Sequence, residues 1–231
     1  MSQEDGLIRL SRFLSDSGSA SRRQADKLIK AGQVTVNGVK VMSLGTKINP
    51  RLVKVSCRGK LVRSATKVYY LLNKPVGYIC SVRDPHNPKT VLTLVPPQPK
   101  VWPVGRLDMD SSGLLLLTND GDLTFQLTHP KFSVVKTYLV KVDKQVRSTD
   151  LIKLKQGIRL TEGLAKADQV SIQGQKALSL SIHQGWKRQI RRMLAGLGYN
   201  VVSLTRVQEG NLSLGNLAVG KYKILQRKDI K

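Results

Sequence analysis

The sequence has few cysteines and no long apolar run, and each shortage excludes a class of protein. Cys57 and Cys80 are its two cysteines, and they share no metal-ligand spacing. A disulfide scaffold and a zinc site are therefore excluded, and a reducing compartment is favoured. No apolar segment approaches the roughly 18 residues of a transmembrane helix. Because MSQEDGLIRL also carries acids where a secretion signal carries bases, we expect a cytoplasmic protein with no membrane partner.

The motifs of nucleotide-driven and metal-dependent enzymes are missing as well. There is no GxxxxGKS/T phosphate loop and no GxGxxG after a strand. His86, His129 and His183 are scattered, and we interpret each as a loop, turn or strand residue rather than a catalytic base. No two carboxylates have the spacing of a glycosidase or a metal site. We therefore expect neither a metal nor a cofactor.

Basic residues are what the sequence has in excess. Lys and Arg number 39 against 15 Asp and Glu, a formal net charge of +24. A surplus of this size is typical of nucleic-acid binding, since Lys and Arg release counterions from phosphates. Residues 1–66 hold 13 bases against 4 acids, or +9, and residues 67–231 hold 26 against 11, or +15. Both parts are therefore expected to contact the polyanion.

Residues 1–66 are expected to fold as two helices followed by a hairpin. Apolar periodicity predicts one helix over residues 7–17, and a second that begins after Ser21 as its N-cap and ends at Gly32. Asn37 and Gly38, flanked by alternating valines, predict a hairpin turn, and a short strand is expected around residues 52–55. The second helix has a basic arc, which is either a solvated face or an RNA contact: Arg22, Arg23, Lys27 and Lys30.

Residues 67–231 have short apolar runs separated by Pro, Gly and Asp turns. The pattern predicts strands over residues 68–72, 78–82, 114–117, 137–142, 170–172, 177–182 and 201–205. It predicts helices over residues 123–127, 149–156 and 187–197. Such a mixture is typical of an α+β fold with a mainly antiparallel mixed sheet.

The segment VGRLDMDSSGLLLLTNDGDL is the first that suggests chemistry. Period-two alternation places Arg106 and Asp108 on one side of an extended stretch that runs into a turn. A carboxylate beside a buried strand, in a strongly basic protein, stays ionised and can act as a nucleophile or a base. Asp is also an ordinary turn residue, so the pattern alone leaves a structural reading open.

The segment GWKRQIRRMLAGLGYN predicts an amphipathic helix. Ile190, Met193, Leu194 and Leu197 fall on one arc of the helical wheel. The opposite arc carries candidate phosphate contacts, one of which is expected to pair inward with an acid: Lys187, Arg188, Arg191 and Arg192. A basic exterior on an ordinary helix is the alternative.

Two resemblances then cover nearly the whole chain. The segment IRLSRFLSDSGSASRRQADKLIKAGQVTVNGVKV resembles the S4-like RNA-binding domain, which implies that the second helix and the hairpin face structured RNA. LLNKPVGYICSVRDP, PVGRLDMDSSGLLLLTNDGDL, THP, VVKTYLVKV, GWKRQIRRM and SLTRVQEG follow in the order of the S4-containing RNA pseudouridine synthases that modify bacterial ribosomal RNA. The resemblance implies an S4-like domain over residues 1–66 and a catalytic domain over residues 67–231. One departure is Gln184-Gly185, where that family often has Glu-Gly.

The resemblance also implies roles for individual residues. Asp108 matches the essential aspartate, and Arg106 matches the arginine that enters the RNA beside the flipped nucleotide. Tyr138 matches the tyrosine that stacks on the target base and assists proton removal from its carbon five. Arg191 matches the basic partner of the aspartate, with Arg188 as the second candidate for that partner. Leu204 matches the apolar residue under the pocket.

Three functions are weighed against these residues. The favoured one is a monomeric enzyme that isomerises uridine in ribosomal RNA or a pre-ribosomal particle, with a large-subunit target suggested by LLNKPVGYICSVRDPHNPKTV. The alternative is a non-catalytic ribosome-assembly factor on the same fold, which would have no need to keep Asp108, Tyr138 and Arg191 together. A DNA-binding regulator is disfavoured because no dimerising heptads occur.

Overall fold

The computed structural model describes residues 6–82, 84 and 87–230, so His86 lies outside the described residues. The chain forms two compact units. The first contains the chain up to Lys67 together with Gln98–Val101 and Asn119–Gly121, and the second contains Val68–Pro97, Trp102–Thr118 and the chain from Asp122 onward. Within the described ranges, every helix is too short or too polar to cross a membrane.

Side-chain contacts explain why two later segments belong to the first unit. Lys67 Nζ lies 3.0 Å from Asp120 Oδ1, and the Asn119 side-chain amide donates to the Thr66 carbonyl at 2.8 Å. Lys100 Nζ donates to the Gly18 carbonyl at 3.2 Å. These contacts join positions far apart in sequence, so local patterns in the sequence do not reveal them.

The first unit is a small α/β module. Its elements are β1 (Ile8–Arg9), α1 (Leu10–Asp16), α2 (Arg22–Lys30), β2 (Val34–Val36), β3 (Val39–Lys40), β4 (Lys47–Ile48), β5 (Val55–Cys57) and β6 (Lys60–Val62). The first helix begins later than its periodicity predicted, because Ile8 and Arg9 pair with Ile48 and Lys47 as a two-stranded sheet. The strand expected around residues 52–55 instead begins at Val55, where pairing with β2 starts.

The local signals of this module act as expected. Ser21 caps α2, and its side chain and that of Gln24 form a reciprocal capping box. Asn37 and Gly38 both have positive φ, at 50° and 84°, as a tight hairpin turn between β2 and β3 requires. Ala25 and Ile29 of α2 are buried in the core of the unit. The four bases of α2 are all exposed: Arg22, Arg23, Lys27 and Lys30.

The second unit is built on a large sheet. Its strands are β7 (Tyr69–Lys74), β8 (Trp102–Pro103), β9 (Ser112–Thr118), β10 (Lys136–Val142), β11 (Ile158–Leu160), β12 (Gly163–Ala165), β13 (Gln169–Gly174), β14 (Ala177–Ile182), β15 (Val201–Glu209), β16 (Leu212–Ser213) and β17 (Tyr222–Ile224). Its helices are α3 (Gly121–Thr128), α4 (Ser148–Gln156) and α5 (Gln189–Gly196), with short 3-10 turns at Val91–Leu94, Pro130–Phe132 and Arg227–Ile230. The strand expected over residues 78–82 is absent, because Ile79 forms only an isolated bridge with Thr90.

The sheet is mixed, with one parallel pair at its centre. The order is β13-β14-β10-β15-β9-β7-β17, and β9 and β15 run parallel while the other neighbours along this path are antiparallel. The all-apolar run Leu114–Leu117 predicted a central strand, and those four side chains are fully buried. The α+β class and the mainly antiparallel mixed sheet are confirmed. The strand β10 is thereby held beside β15, one strand away from β9.

Gly113 allows the parallel pair to form. It has a φ of +104°, and a Cβ placed on it would lie 2.2 Å from the carbonyl oxygen of Arg206. The backbones of β9 and β15 approach this closely because Gly113 pairs in register with Arg206. The Ser112 and Thr205 hydroxyls, one residue earlier on each strand, are 2.9 Å apart and form a hydrogen bond.

Replacing Gly113 is expected to weaken the whole second unit. We predict that Gly113→Ala lowers the free energy of unfolding by about 2–3 kcal/mol, since it adds both backbone strain at positive φ and a steric overlap. Urea denaturation followed by circular dichroism measures this. Gly38→Ala is the control, because Gly38 also has positive φ but a Cβ there would meet nothing within 4 Å. Equal losses in the two variants would contradict a steric role for the strand contact.

Candidate active site

A cavity of about 780 Å³ opens in the second unit beside β10 and β15. The turn after β8, the segment after α3 and the segment before α5 complete its wall. Six of the residues chosen from the sequence line it: Arg106, Asp108, Tyr138, Lys187, Arg188 and Leu204. The fold therefore gathers into one cavity residues that are spread over almost 100 positions of the chain.

Asp108 lies in a tight turn at the wall of this cavity. Its carbonyl accepts from the Ser111 amide at 3.1 Å, which closes the turn. Its side chain is half-buried, and among the described residues it has no hydrogen-bond or ion-pair partner. Arg106, two residues earlier, is exposed on the same cavity, as the alternation predicted. The Asp108 carboxylate is thus free to meet a ligand.

Lys74 fixes the position of that turn. It is 0% exposed at the end of β7, and its ammonium donates to the carbonyls of Ser111 at 2.7 Å and of Asp108 and Pro75 at 3.1 Å. Burial lowers the pKa of Lys74, while nearby Cys80 and the Asp108 and Asp110 carboxylates oppose that shift. Lys74 was not predicted as a site residue, although a lysine at the end of a buried apolar strand is a signal that its ammonium has buried partners.

The expected pairing of Arg191 with Asp108 is not formed, and Asp110 takes that place. Arg191 donates to the Asp110 carbonyl at 2.9 Å and to the Val201 carbonyl at 3.1 Å, with its Nε 3.4 Å from the Asp110 carboxylate. Arg188, the second candidate, binds the same Asp110 carboxylate through two hydrogen bonds of 3.1 and 2.9 Å. In this turn the Asp110 carboxylate, and not that of Asp108, contacts the arginines at α5.

The two arginines also set the charge of Asp110. Burial would raise the pKa of that carboxyl, but the hydrogen bonds from Arg188 and the positive charge of Arg191 outweigh it and hold the pKa below its usual value. Asp110 therefore stays ionised and neutralises part of the charge of α5. The consequence is that Asp110 and the two arginines tie the Asp108 turn to α5, while the Asp108 carboxylate has no hydrogen bond or ion pair among the described residues.

A buried ion pair lies next to Tyr138. Tyr138 on β10 pairs in register with Arg206 on β15, and Arg206 is 1% exposed. Arg206 Nη2 is 3.3 Å from the Glu209 carboxylate, and Arg206 Nε donates to the Leu114 carbonyl at 2.8 Å. Burial would lower the pKa of Arg206, but Glu209 and the Tyr138 hydroxyl raise it, so Arg206 stays charged. Burial raises the pKa of Tyr138, with Arg206 opposing.

Arg206 and Glu209 were not chosen from the sequence, although a signal for Arg206 existed. Leu204 was selected, and period-two alternation along β15 puts Arg206 on the same face two residues later. Alternation thus indicated that Arg206 faces inward. An arginine is almost never fully buried unless it is paired, and the sequence did not show which acid would pair with it. Its partner Glu209 lies three residues further on, where a register shift in the pairing with β10 breaks the simple alternation.

The remaining basic candidates differ in their surroundings. Lys187 is exposed at the cavity. Arg192 is held by two hydrogen bonds of 2.8 Å to Glu162, which lower the pKa of Glu162 to about 2, so its guanidinium already has an anionic partner. His183 also lines the cavity, with its Nδ1 2.7 Å from Asp168. In the described part of the chain no three His, Cys, Asp or Glu side chains are grouped to hold a metal ion.

The helix α5 begins at Gln189, two residues later than expected, because Arg188 adopts a left-handed conformation with φ of 51°. The predicted apolar arc is buried at Ile190, Met193 and Leu194. Gln189 is buried too, and its side-chain amide donates to Gln184 at 2.8 Å. Gln184, where the family that this sequence resembles often has Glu, therefore anchors the start of this helix.

Comparison with known proteins matches both units. The RNA pseudouridylate synthase family matches residues 68–196, and the S4 domain matches residues 8–53. An uncharacterized RNA pseudouridine synthase of Aquifex aeolicus (strain VF5) is 41% identical over 96% of this chain and 92% of its own. Ribosomal large subunit pseudouridine synthase B of Bacillus subtilis (strain 168) is 41% identical over 97% of this chain and 95% of its own.

A solved structure agrees with these relatives. A crystal structure described as a pseudouridylate synthase is 32% identical, covers 96% of this chain and 98% of its own, and superposes with a TM-score of 0.70. Sequence and fold thus agree over almost the whole length, S4 domain included. On this evidence the chain belongs to the RNA pseudouridylate synthase family and is an RNA pseudouridine synthase with an S4 domain.

Proposed function

We propose that this protein isomerises one specific uridine of ribosomal RNA to pseudouridine, with a large-subunit target, as a monomer without a cofactor. The observation that carries the proposal is that Arg106, Asp108, Tyr138 and Leu204 all line one cavity. Their types match what the reaction needs: a free carboxylate, an aromatic face, an apolar floor and an exposed cation. The large-subunit target rests on the sequence motif and on the name of the Bacillus subtilis relative.

The reaction breaks the bond from ribose C1′ to N1 of uracil and forms a bond from C1′ to C5. The proton of C5 is lost and N1 gains one, so nothing is oxidised and no group donor is consumed. Asp108, with no partner in the described protein, is available to start the reaction as a nucleophile or as a base toward the sugar. Lys74 and Arg188 carry positive charge close to it.

Tyr138 is proposed to stack on the target base and to assist removal of the proton from C5 of that base. Because burial raises its pKa, the phenol is neutral before substrate arrives. Arg206 opposes that shift, and its positive charge stabilises the negative charge that develops on the base as the C5 proton leaves. Leu204 packs beneath, in register with Val140 on the neighbouring strand.

Access to the uridine requires base flipping, which costs a few kcal/mol. Arg106 is proposed to occupy the vacated space, since it is exposed on the cavity rim and is not buried in an ion pair. Phosphate contacts from Lys187 offset part of the cost. Arg188 contributes less, because Asp110 already binds its guanidinium. Arg192 contributes less than expected, because Glu162 already binds its guanidinium.

Incubation of the purified protein with bacterial ribosomal RNA tests the function. We expect one new pseudouridine, mapped by chemical modification and primer extension, in large-subunit rather than small-subunit RNA. A new site in small-subunit RNA would overturn the target but not the reaction. RNA binding without any new pseudouridine would instead favour the assembly-factor reading.

We further propose a boundary at residues 66/67, with residues 1–66 docking RNA through α2. Changing its four exposed bases to Gln should weaken rRNA binding and reduce the slope of log K against log salt by about 2–3, since each lost phosphate contact removes nearly one unit. Fluorescence anisotropy across a salt series measures both. The changed residues are Arg22, Arg23, Lys27 and Lys30.

The control is a second variant that loses the same number of positive charges, four, from the second unit. It replaces four exposed lysines that do not line the cavity, namely Lys141, Lys155, Lys176 and Lys223. We expect a smaller loss of slope in this variant. If both quadruple variants lose slope equally, the basic arc of α2 is only a solvated face.

A further inference from the structure

Three aromatic rings form an exposed cluster at the rim of the cavity. Phe125, His129 and Phe132, here called the aromatic rim, have centroids 4.6 Å apart for Phe125 and His129 and 5.7 Å apart for Phe125 and Phe132. His129 and Phe132 are 6.5 Å apart. His129 also lines the cavity, so the aromatic rim is continuous with the proposed uridine site.

Two of the three Phe of this chain are exposed, which is unusual for an apolar aromatic residue. Phe13 is 5% exposed in the core of the first unit, whereas Phe125 is 46% and Phe132 is 43% exposed. Helical spacing explains why Phe125 avoids the core. Leu123 and Leu127, four residues apart, face the core of the second unit, and Phe125 lies between them on the opposite side of α3. Solvation of apolar rings is unfavourable, so a partner that covers them gains free energy.

A cation already uses this surface. Lys131 Nζ lies 5.0 Å from the centroid of Phe125 and 4.8 Å from that of Phe132. The Lys131 side chain is exposed, and an exposed cation–π contact is weaker than stacking of a nucleobase on an aromatic ring. A base can therefore displace the ammonium from the rings, and the ammonium then remains within reach of the phosphate of that nucleotide.

We propose that the aromatic rim binds one unpaired nucleobase of the RNA, next to the uridine in the cavity, with Lys131 on its phosphate. The proposal rests on the proposed RNA substrate and adds a second base site to it. A base suits this place because the rim adjoins a cavity proposed for a nucleotide and because the chain carries a net charge of +24. Stacking tolerates any base, so the site favours single-stranded over paired flanking nucleotides.

The His129 ring is held in place for this role. Its Nδ1 accepts a hydrogen bond of 3.2 Å from the Lys131 backbone amide, which fixes the ring at the start of the 3-10 turn Pro130–Phe132. The 3-10 turn then sets the position of Phe132 against Phe125. A preformed platform loses little conformational entropy when a base stacks on it.

Binding of a five-nucleotide oligouridylate with 2-aminopurine at its centre tests the proposal. With the wild-type protein we expect quenched 2-aminopurine fluorescence, and affinity about tenfold higher than for the same oligomer with an abasic centre. Phe125→Ala/Phe132→Ala should bind both oligomers equally, with little quenching. Ile152→Ala, an exposed apolar residue of α4 outside the cavity, is the control and should retain the preference.

A second measurement needs no variant. The same oligomer with 5-iodouridine at its centre, irradiated on the wild-type protein, should cross-link to a peptide that contains residues 121–133. Quenching that survives in the double variant, or cross-links confined to other peptides, would overturn the proposal. Asp108→Asn should still quench 2-aminopurine, so failure of catalysis and failure of this base site are separate results.

Discussion

Asp108→Asn is expected to form no detectable pseudouridine, a loss of about 10³-fold or more in rate, while it binds rRNA with wild-type affinity and salt dependence. The amide has the same shape, and the Asp108 side chain makes no hydrogen bond or ion pair in the described protein that the change would break. It removes the negative charge and the basicity on which either proposed role depends. Single-turnover kinetics on rRNA separate this loss from any change in binding.

The control removes the same charge from a position outside the cavity. Asp26→Asn lies on α2 of the first unit and should keep full activity. If Asp108→Asn retained more than about a tenth of the wild-type rate, Asp108 would be neither nucleophile nor base. The ionised Asp110, held by Arg188 and Arg191, would then be the next carboxylate to test.

Glu209→Gln is expected to have the largest effect on stability. The change leaves Arg206 1% exposed and charged without an anionic partner, and breaking a buried pair from one side costs about 3–5 kcal/mol. Gln is nearly isosteric, so no cavity contributes to the loss. Urea denaturation gives the free energy of unfolding, and activity should fall as well, because Arg206 sits opposite Tyr138.

A double variant separates charge from shape. Arg206→Met/Glu209→Leu removes both charges and should be less destabilised than Glu209→Gln, because no unpaired charge remains buried. The solvent-exposed ion pair between Glu162 and Arg192 offers a matched control. Glu162→Gln breaks that pair and should lower the free energy of unfolding far less than Glu209→Gln does. A double variant as unstable as the sum of its single changes would show that packing, not charge, dominates at this site. Lys136, which also interacts with Glu209, is unchanged in every variant.

Much of the local structure follows from short-range signals. The capping box at Ser21, the Asn37-Gly38 turn and the apolar run at residues 114–117 each involve neighbours in the sequence, and each has its expected consequence. The strand expected at residues 78–82 failed because a strand needs a partner along its length, and only Thr90 pairs with Ile79. Pairing partners are a property of the fold rather than of the segment.

The sequence by itself determined the basic character, the α+β class and, through resemblance, the residues proposed to act on uridine. Only the tertiary structure decided which groups face each other. It placed Arg191 and Arg188 on Asp110, and among the described residues it left the Asp108 side chain without a hydrogen bond or ion pair, because the pairing depends on which carboxylate the fold brings within reach of the arginines. It also buried Lys74 and Arg206. Burying a charge costs free energy, and carbonyls and a carboxylate offset that cost; the folded sheet brings these groups within hydrogen-bond range.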